Sequence, residues 1–315
     1  MSRSSDDAKL LRRIKLRDLD TLSRVARLGG MRKAAEELHL SQPAVSKAIA
    51  ELESALGYKL LERSRLGVEV TGYGTALIRR AVVMFDELQQ GVRDLERLAD
   101  PDGGEITMGC NDPINAGLVA AAIERMNRQF PRVTFNVEAG DTTMLLSRYL
   151  LERTSDFVIT RPYGATIDPQ IKAEPLFRES VEVVVARTNR LAARRKLTLA
   201  ELAGERWILS KSEIAGDSPV VEAFRTAGLA FPNSVVVTRS LNVRYTLLAT
   251  GRFVTVMPGS MLRYAAARSL LKVLPVEIGR WAMPTMVLTL ANRPLSPAST
   301  KFVEILRELS RPLDE

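Results

Sequence analysis

The chain has 315 residues, is 46% hydrophobic and 26% charged, and sets 45 Lys and Arg against 37 Asp and Glu, a formal net charge of +8. That length suffices for two or three domains with substantial cores. One Cys and one His in the whole chain exclude an internal disulfide framework and a His/Cys zinc site, leave no spare histidine for a nucleophile-and-base pair, and imply no metal and no cofactor.

Residues 1–13, MSRSSDDAKLLRR, are charged and aperiodic, so a flexible arm is expected there. They lack the apolar stretch of a secretory signal, and no apolar run approaches the roughly 20 residues of a membrane span, so a cytoplasmic protein without a membrane partner is expected. Residues 1–70 hold 14 basic and 10 acidic side chains, half of the net charge in under a quarter of the chain. This is a mild bias toward nucleic acid.

A first helix starts at Leu16, turns Leu19, Leu22, Ala26 and Leu28 inward, and ends at Gly29 and Gly30. Met31–Gly57 then reads as two short helices around a tight turn. Ala34, Ala35 and Leu38 stripe the first; Ser41 can cap the second, and Pro43 fits its first turn, where no donor is needed. The second buries Val45, Ile49, Leu52 and Leu56 and turns Gln42, Pro43, Ser46 and Ala50 outward, with Lys47 at the edge. That outward face is small and polar, as entry into a major groove requires, although the spacing alone also fits an ordinary amphipathic helix pair. The expected DNA contacts here are Arg32, Ser41, Gln42, Pro43, Ser46 and Lys47. KLLERSRLGVEVT follows with a hairpin pattern, whose Arg63 and Arg65 either reach a minor groove or phosphate run or merely solvate the hairpin.

Thr71 can cap the next helix, along which Leu77, Ala81, Met84, Leu88, Gly91, Leu95 and Leu98 recur in steps of four and three. On a helix of ~26 residues, about 39 Å long, this seam is too narrow for burial in a globule and fits a partner helix, with Leu77, Met84, Leu88 and Leu95 as the dimerisation residues; the alternative is one helix lying across its own domain. The run 100–104, DPDGG, breaks the helix. Beyond it, short β-branched runs at Ile106–Cys110, Val133–Val137, Phe157–Thr160, Val181–Val185, Trp207–Ser210, Val235–Thr238 and Phe253–Met257 alternate with helical stretches at Ala116–Gln129, Thr142–Leu151, Val220–Ala227 and Leu241–Thr250. Such alternation predicts parallel sheets with helices on both faces. Cys110, at a strand end, reads as a small buried hydrophobe rather than a redox switch.

The segment AAEELHLSQPAVSKAIAELESALGYKLLERSRLGVEVTGYG resembles the N-terminal winged helix-turn-helix of LysR-type transcriptional regulators. The resemblance is dense from Leu16 to Leu98 and continues more weakly through FPRVTFNVEAG and a TVMP segment. It departs where the family usually starts its first motif helix with serine and this chain has Gly30, a difference of only a few tenths of a kcal/mol. The resemblance implies an α/β protein with a winged helix-turn-helix (14–71), a linker and dimerisation helix (72–100) and a two-lobed, periplasmic-binding-protein-like effector domain (104–315). On that model lobe I is 104–161 plus 271–309, and lobe II is 162–270. It also implies double-stranded promoter DNA as partner and a self-assembled dimer of dimers, with the linker helix pairing antiparallel with its copy.

Ligands of open α/β sheets sit beyond the carboxyl ends of strands. The loops at those ends carry Asn111, Asn115, Asp141, Thr142, Thr143, Arg161, Ser210 and Ser212 as candidate effector contacts, with Thr160, Lys211 and Asn242 close by in sequence. Arg161 is the expected carboxylate partner, because its fork of donors matches a carboxylate bidentately; a hinge salt bridge is its alternative role. The stretch LLERSRLGVEVTGYG most resembles the branch that controls sugar uptake and aromatic-acid catabolism, so a sugar or an organic acid is the expected effector. A hydrolase would lack its base, and a transport binding protein would have no use for the first hundred residues. A ligand-responsive regulator is therefore expected, with a ligand-independent architectural DNA-binding protein as the other reading.

Overall fold

Three helices, α1 (Leu16–Leu28), α2 (Met31–Glu37) and α3 (Gln42–Leu56), precede a two-stranded hairpin of β1 (Leu61–Ser64) and β2 (Gly67–Val70) and the long helix α4 (Gly72–Ala99). The computed structural model describes residues 10, 11, 13–64, 67–99, 103–162, 166–233, 235–264 and 269–314. They form two compact units, 1–95 and 96–315. Most of the expected N-terminal arm lies outside the described residues.

In the first unit the sequence signals act where they were read. Gly29 closes α1 in the left-handed region (φ 67) and Gly57 closes α3 likewise (φ 76). Ser41 caps α3 by accepting from Ala44 N at 3.3 Å, while Gly30 starts α2 without a side-chain cap. Leu19, Leu22, Val25, Ala34, Ala35, Val45, Ile49 and Leu52 fill the core. Val25, rather than the expected Ala26, is the fully buried residue of the last turn of α1. Each buried Leu, Ile or Val side chain contributes roughly 1.5–3 kcal/mol. Thr71 caps α4 through Gly74 N at 3.0 Å. A Cβ on Gly74 would fall 2.2 Å from the Leu60 carbonyl oxygen, so only glycine lets α4 leave the hairpin at this angle.

The expected seam of α4 divides in two. Leu77 and Ala81, joined by Phe85 from outside the pattern, pack on the core of this unit, whereas Met84, Leu88, Val92 and Leu95 are exposed. Leu77 is thus half-buried within its own head, and Val92, absent from the four-and-three pattern, joins the outward strip.

Among the described residues the second unit holds two five-stranded sheets. The first runs β4 (Arg132–Ala139), β3 (Gly103–Cys110), β5 (Phe157–Thr160), β12 (Thr285–Leu290), β6 (Ile171–Phe177); the second runs β11 (Leu271–Arg280), β7 (Ser180–Ala186), β10 (Phe253–Pro258), β8 (Arg206–Leu209), β9 (Val235–Val237). All seven expected strands are present, but both sheets are mixed rather than parallel. β12 runs antiparallel to β5 and β6, and β7 runs antiparallel to β10 and β11. The three strands missed in the sequence, β6, β11 and β12, all pair antiparallel, outside the strand–helix alternation that revealed the others.

These pairings also move the lobe boundaries. β6 belongs to the first sheet and β11 to the second, so the chain crosses between sheets at 178–179 and 281–284, not at 161/162 and 270/271. The boundaries implied by the resemblance put residues 171–177 in lobe II and 271–280 in lobe I, and the observed pairing reverses both.

Helices cover the sheets. One begins at Asp112–Ile114, passes through a π-helical turn at Asn115–Val119 and continues as α5 (Ala120–Gln129); a second begins at Thr142–Met144 and finishes as the π-helical Leu145–Leu151. The closing helix Pro297–Asp314 buries Phe302, Val303, Ile305 and Leu306 against β3, β5 and α5 side chains in the first core. A Cβ on Gly117, in the first π turn, would lie 2.7 Å from Met261 Cα and 2.9 Å from the Ser260 oxygen. The short helix Gly259–Tyr264, which follows β10 of the second sheet, therefore rests directly on backbone of the first.

Candidate functional site

On the first unit, Ser41, Gln42, Pro43, Lys47 and Ala50 are exposed along one face of α3, opposite Val45, Ile49 and Leu52. Ser46 is partly covered on the same face. Lys47 stands 3.8 Å from Glu51 and Arg32 stands 3.9 Å from Glu36, loose exposed pairs that a phosphate can displace. Arg63 lies in β1 and Arg65 lies outside the described residues.

Behind this face, acidic side chains hold other arginines. Arg24 bonds Asp20 at 3.1 Å and, with Arg27, grips Glu37, joining α1 to α2. The bonds from Asp20 and Glu37 raise the pKa of Arg24 further. Glu53, on the buried side of α3, accepts from Lys59 Nζ at 2.6 Å and from the N–H groups of Leu60 and Leu61 at 2.9 and 3.3 Å. Burial pushes the Glu53 carboxyl up, but these three donors more than offset it and leave it below the ordinary range. This residue fixes the start of the hairpin relative to α3. Sequence reasoning missed it, although a carboxylate one position beyond Leu52 on an apolar face was the available signal.

In the second unit, three strand-end loops of the first sheet meet. Asn111 Nδ2 donates to the Gly140 oxygen at 2.8 Å, Thr160 Oγ1 donates to Asn111 Oδ1 at 2.6 Å, and Thr142 Oγ1 lies 2.8 Å from Thr160 Oγ1 and donates to the Arg161 oxygen at 3.1 Å. Asp141 caps the following helix through Met144 N at 2.9 Å and is held below its ordinary pKa, chiefly by that bond. Asn115 is turned back onto Cys110, with its Nδ2 3.5 Å from the Cys110 oxygen and its Oδ1 accepting from the thiol. Thr143 is exposed. The Cys110 thiol is completely buried and its pKa is pushed well up by that burial.

On the second sheet, Ser210 and Ser212 lie with their hydroxyls 3.0 Å apart, and Ser210 N donates to Glu213 Oε2 at 2.6 Å. Arg244, almost wholly buried, clamps the same carboxylate with bonds of 3.2 and 2.6 Å and also donates to Thr255 Oγ1 and the Val256 oxygen. Lys211 and Asn242 are exposed. The two sets of loops are linked by Arg239 of the second, 3.4 Å from Asp141 of the first.

Arg161 does not join this polar rim. Its guanidinium turns to the second crossover and sits 4.5 Å from the ring centroid of Trp281. Its Nε is out of water without an acceptor. Burial lowers its pKa to about 10, against the pull of Glu179 and Glu213. Glu179, at the first crossover, is buried and accepts from Ser260 N at 3.0 Å and Ser260 Oγ at 2.5 Å; desolvation raises its pKa. Sequence reasoning missed Glu179, Glu213, Arg239, Arg244 and Trp281, since no periodic pattern marks a residue whose role arises from a distant crossover. Among the described residues no cluster of three His, Cys, Asp or Glu fit to hold a metal is found, and no helix is long and apolar enough to cross a membrane.

Comparison with known proteins bears on both units. Residues 16–75 match the family model for a bacterial regulatory helix-turn-helix protein of the lysR family, and residues 99–311 match the LysR substrate binding domain. The chain is 30% identical to the uncharacterised HTH-type transcriptional regulator YybE of Bacillus subtilis over 76% of its own length and 81% of that protein. It is 28% identical to the HTH-type transcriptional regulator GbpR of Azospirillum brasilense over 95% of this chain and 87% of that one. Among solved structures, full-length CbnR complexed with its target DNA superposes with a TM-score of 0.62 at 21% identity, covering 94% of this chain and all of that one, which shows a shared fold.

Proposed function

The chain belongs to the LysR family of DNA-binding transcriptional regulators with an effector-binding domain, and from that premise we propose a division of labour among its residues. Gln42 and Ser46 read base edges in a major groove, Ser41 and Pro43 seat the helix, and Arg32, Lys47, Arg63 and Arg65 meet phosphate or minor groove. Met84, Leu88, Val92 and Leu95 form the contact between two linker helices, and two such dimers form the working assembly in the cytoplasm. The protein acts by binding and not by catalysis.

The effector, a small sugar or organic acid, is held between the two sheets. One observation carries this reading: the Asn111–Thr160–Thr142 chain draws three strand-end loops into one polar rim, and the Arg239–Asp141 pair links that rim to the loops of the other sheet. A molecule seated there touches both lobes and favours the lobe angle that gives it better contacts, which shifts an equilibrium already present in the free protein. Footprinting on promoter DNA with and without candidate compounds is the test. The expected result is an effector-dependent change of protected length or of hypersensitivity at a bend. A footprint unchanged by every sugar and acid that shifts the thermal midpoint of the protein would instead favour the architectural reading.

A further inference from the structure

Arg161 is a largely buried cation, its Nε out of water, beside two carboxylates that other groups already hold. Both oxygens of Glu179 accept from Ser260, and both oxygens of Glu213 accept from Arg244, with Ser210 N as a further donor. Their influence on Arg161 is therefore exerted through space, while its Nε–H has no acceptor. The guanidinium carbon stands over the Trp281 ring at 4.5 Å from its centroid, so the indole covers one side of the cation. A buried donor without an acceptor is costly, and a cationic one more so. The geometry that remains is half of a recognition pair.

We propose that Arg161 anchors the carboxylate of the effector, which makes the effector a singly charged organic acid and not a neutral sugar; this rests on the effector reading above. A planar carboxylate matches the open edge of a stacked guanidinium bidentately. Charge balance sets the limit of one. Arg161, Arg244 and Arg280, whose charge also acts on Glu179, face Glu179 and Glu213, so the cluster carries one net positive charge, which a monocarboxylate neutralises and a phosphate dianion overshoots by one. A neutral sugar leaves that positive charge uncompensated. Because Arg161 leaves the end of β5 in the first sheet, while Glu179 and Trp281 stand on the two crossovers, an anion here acts on the hinge between the lobes rather than on one lobe alone.

The chain has two tryptophans, so Trp207→Phe leaves Trp281 as the only indole and as a direct reporter of the ring that Arg161 covers. Full-length protein carrying that substitution is titrated with gluconate against glucose, benzoate against benzamide, and inorganic phosphate. The expected result is a saturable change of Trp281 emission with at least one carboxylate and none with its neutral counterpart or with phosphate. Arg161→Lys, which keeps the charge and loses the fork and the stacking, is expected to weaken that carboxylate at least tenfold while the melting point without ligand stays within a few degrees. If Trp207→Phe does not fold, the same compound pairs are compared by the melting midpoint of the unsubstituted chain. Failure of both carboxylates, equal binding by the neutral partner, or undiminished carboxylate binding by Arg161→Lys each overturns the anchor. Midpoint shifts caused by glucose or benzamide alone would overturn the anchor and leave the effector reading intact, whereas a wider screen of neutral and anionic compounds that moves nothing would remove that reading as well.

Discussion

At Gln42 and Lys47, five positions apart on α3, chemistry separates two kinds of DNA contact that sequence position does not. An amide can bond two atoms of one base edge, so Gln42→Ala is expected to cost about 1–3 kcal/mol and to relax one operator position. An ammonium on a phosphate carries no sequence information, so Lys47→Ala is expected to weaken all sequences alike and to lower the salt slope by about 1. Competition binding at several salt concentrations distinguishes the two, and unchanged sequence preference in Gln42→Ala would show that the face is wrongly assigned. Glu53 gives the residue-scale prediction for stability. Its folded pKa is depressed, so its contribution is present above the unfolded carboxylate value and is lost as pH falls through the lower folded one. Glu53→Gln is expected to cost about 1.5–3 kcal/mol at neutral pH, with the gap to the parent closing in acid. Denaturant melts at pH 7 and pH 3 read this directly.

Helix α4 and the π turn at Asn115–Val119 show what an element adds to its residues. Of the outward strip, Met84, Leu88 and Leu95 were legible because helical periodicity is a property of neighbours in sequence, whereas Val92 falls outside that pattern. Leu77 was misleading for the same reason: it shares the period but meets a core built by other helices. Leu88→Glu is expected to place a charge in the helix–helix contact and to release smaller assemblies in sedimentation velocity; an unchanged sedimentation coefficient would remove the strip from the interface. The π turn had no signal in the sequence. Its necessity appears only when Gly117 meets the backbone of Ser260 and Met261, more than 140 positions away. Gly117→Ala is expected to destabilise the second unit by about 1–3 kcal/mol, because backbone cannot step aside as a side chain can. Thermal melts of the full chain, with the transition of the first unit as internal reference, check it.

Across the whole molecule, the first unit was read nearly residue for residue, since its caps, glycines and apolar stripes all act within a few positions of themselves. The second unit was read in its strand–helix alternation and missed in β6, β11 and β12, in its crossovers and in Glu179 and Trp281, the neighbours of Arg161. Those depend on pairings such as Leu271 with Ala186, Met286 with Thr160 and Arg161 with Trp281, 85 to 126 positions apart, which a local pattern does not encode. The Arg239–Asp141 pair is an exposed link between lobes, and such pairs are worth at most about 1 kcal/mol. Arg239→Ala is therefore expected to change the concentration of effector needed for a footprint change by a few fold without altering the fold of either lobe, as circular dichroism and footprint titration would report.

The connectivity of the two sheets also sets an order of events during synthesis. All strands of the second sheet lie between residues 180 and 280, whereas the core of the first joins strands that begin at Gly103 to a helix that ends at Asp314. On a ribosome, where segments fold as they emerge, the inserted lobe has its full set of strands while the lobe around it still lacks β12 and its closing helix. The DNA-reading head is complete long before either. For that interval a nascent chain has a finished head and half a sensor, with the hydrophobic surface that Phe302 and Leu306 will cover still open to water. Molecular chaperones that recognise exposed apolar surface would meet this protein at its first lobe, and substitutions that slow the arrival or docking of the last helix should appear as reduced yield of the protein rather than as a faulty response.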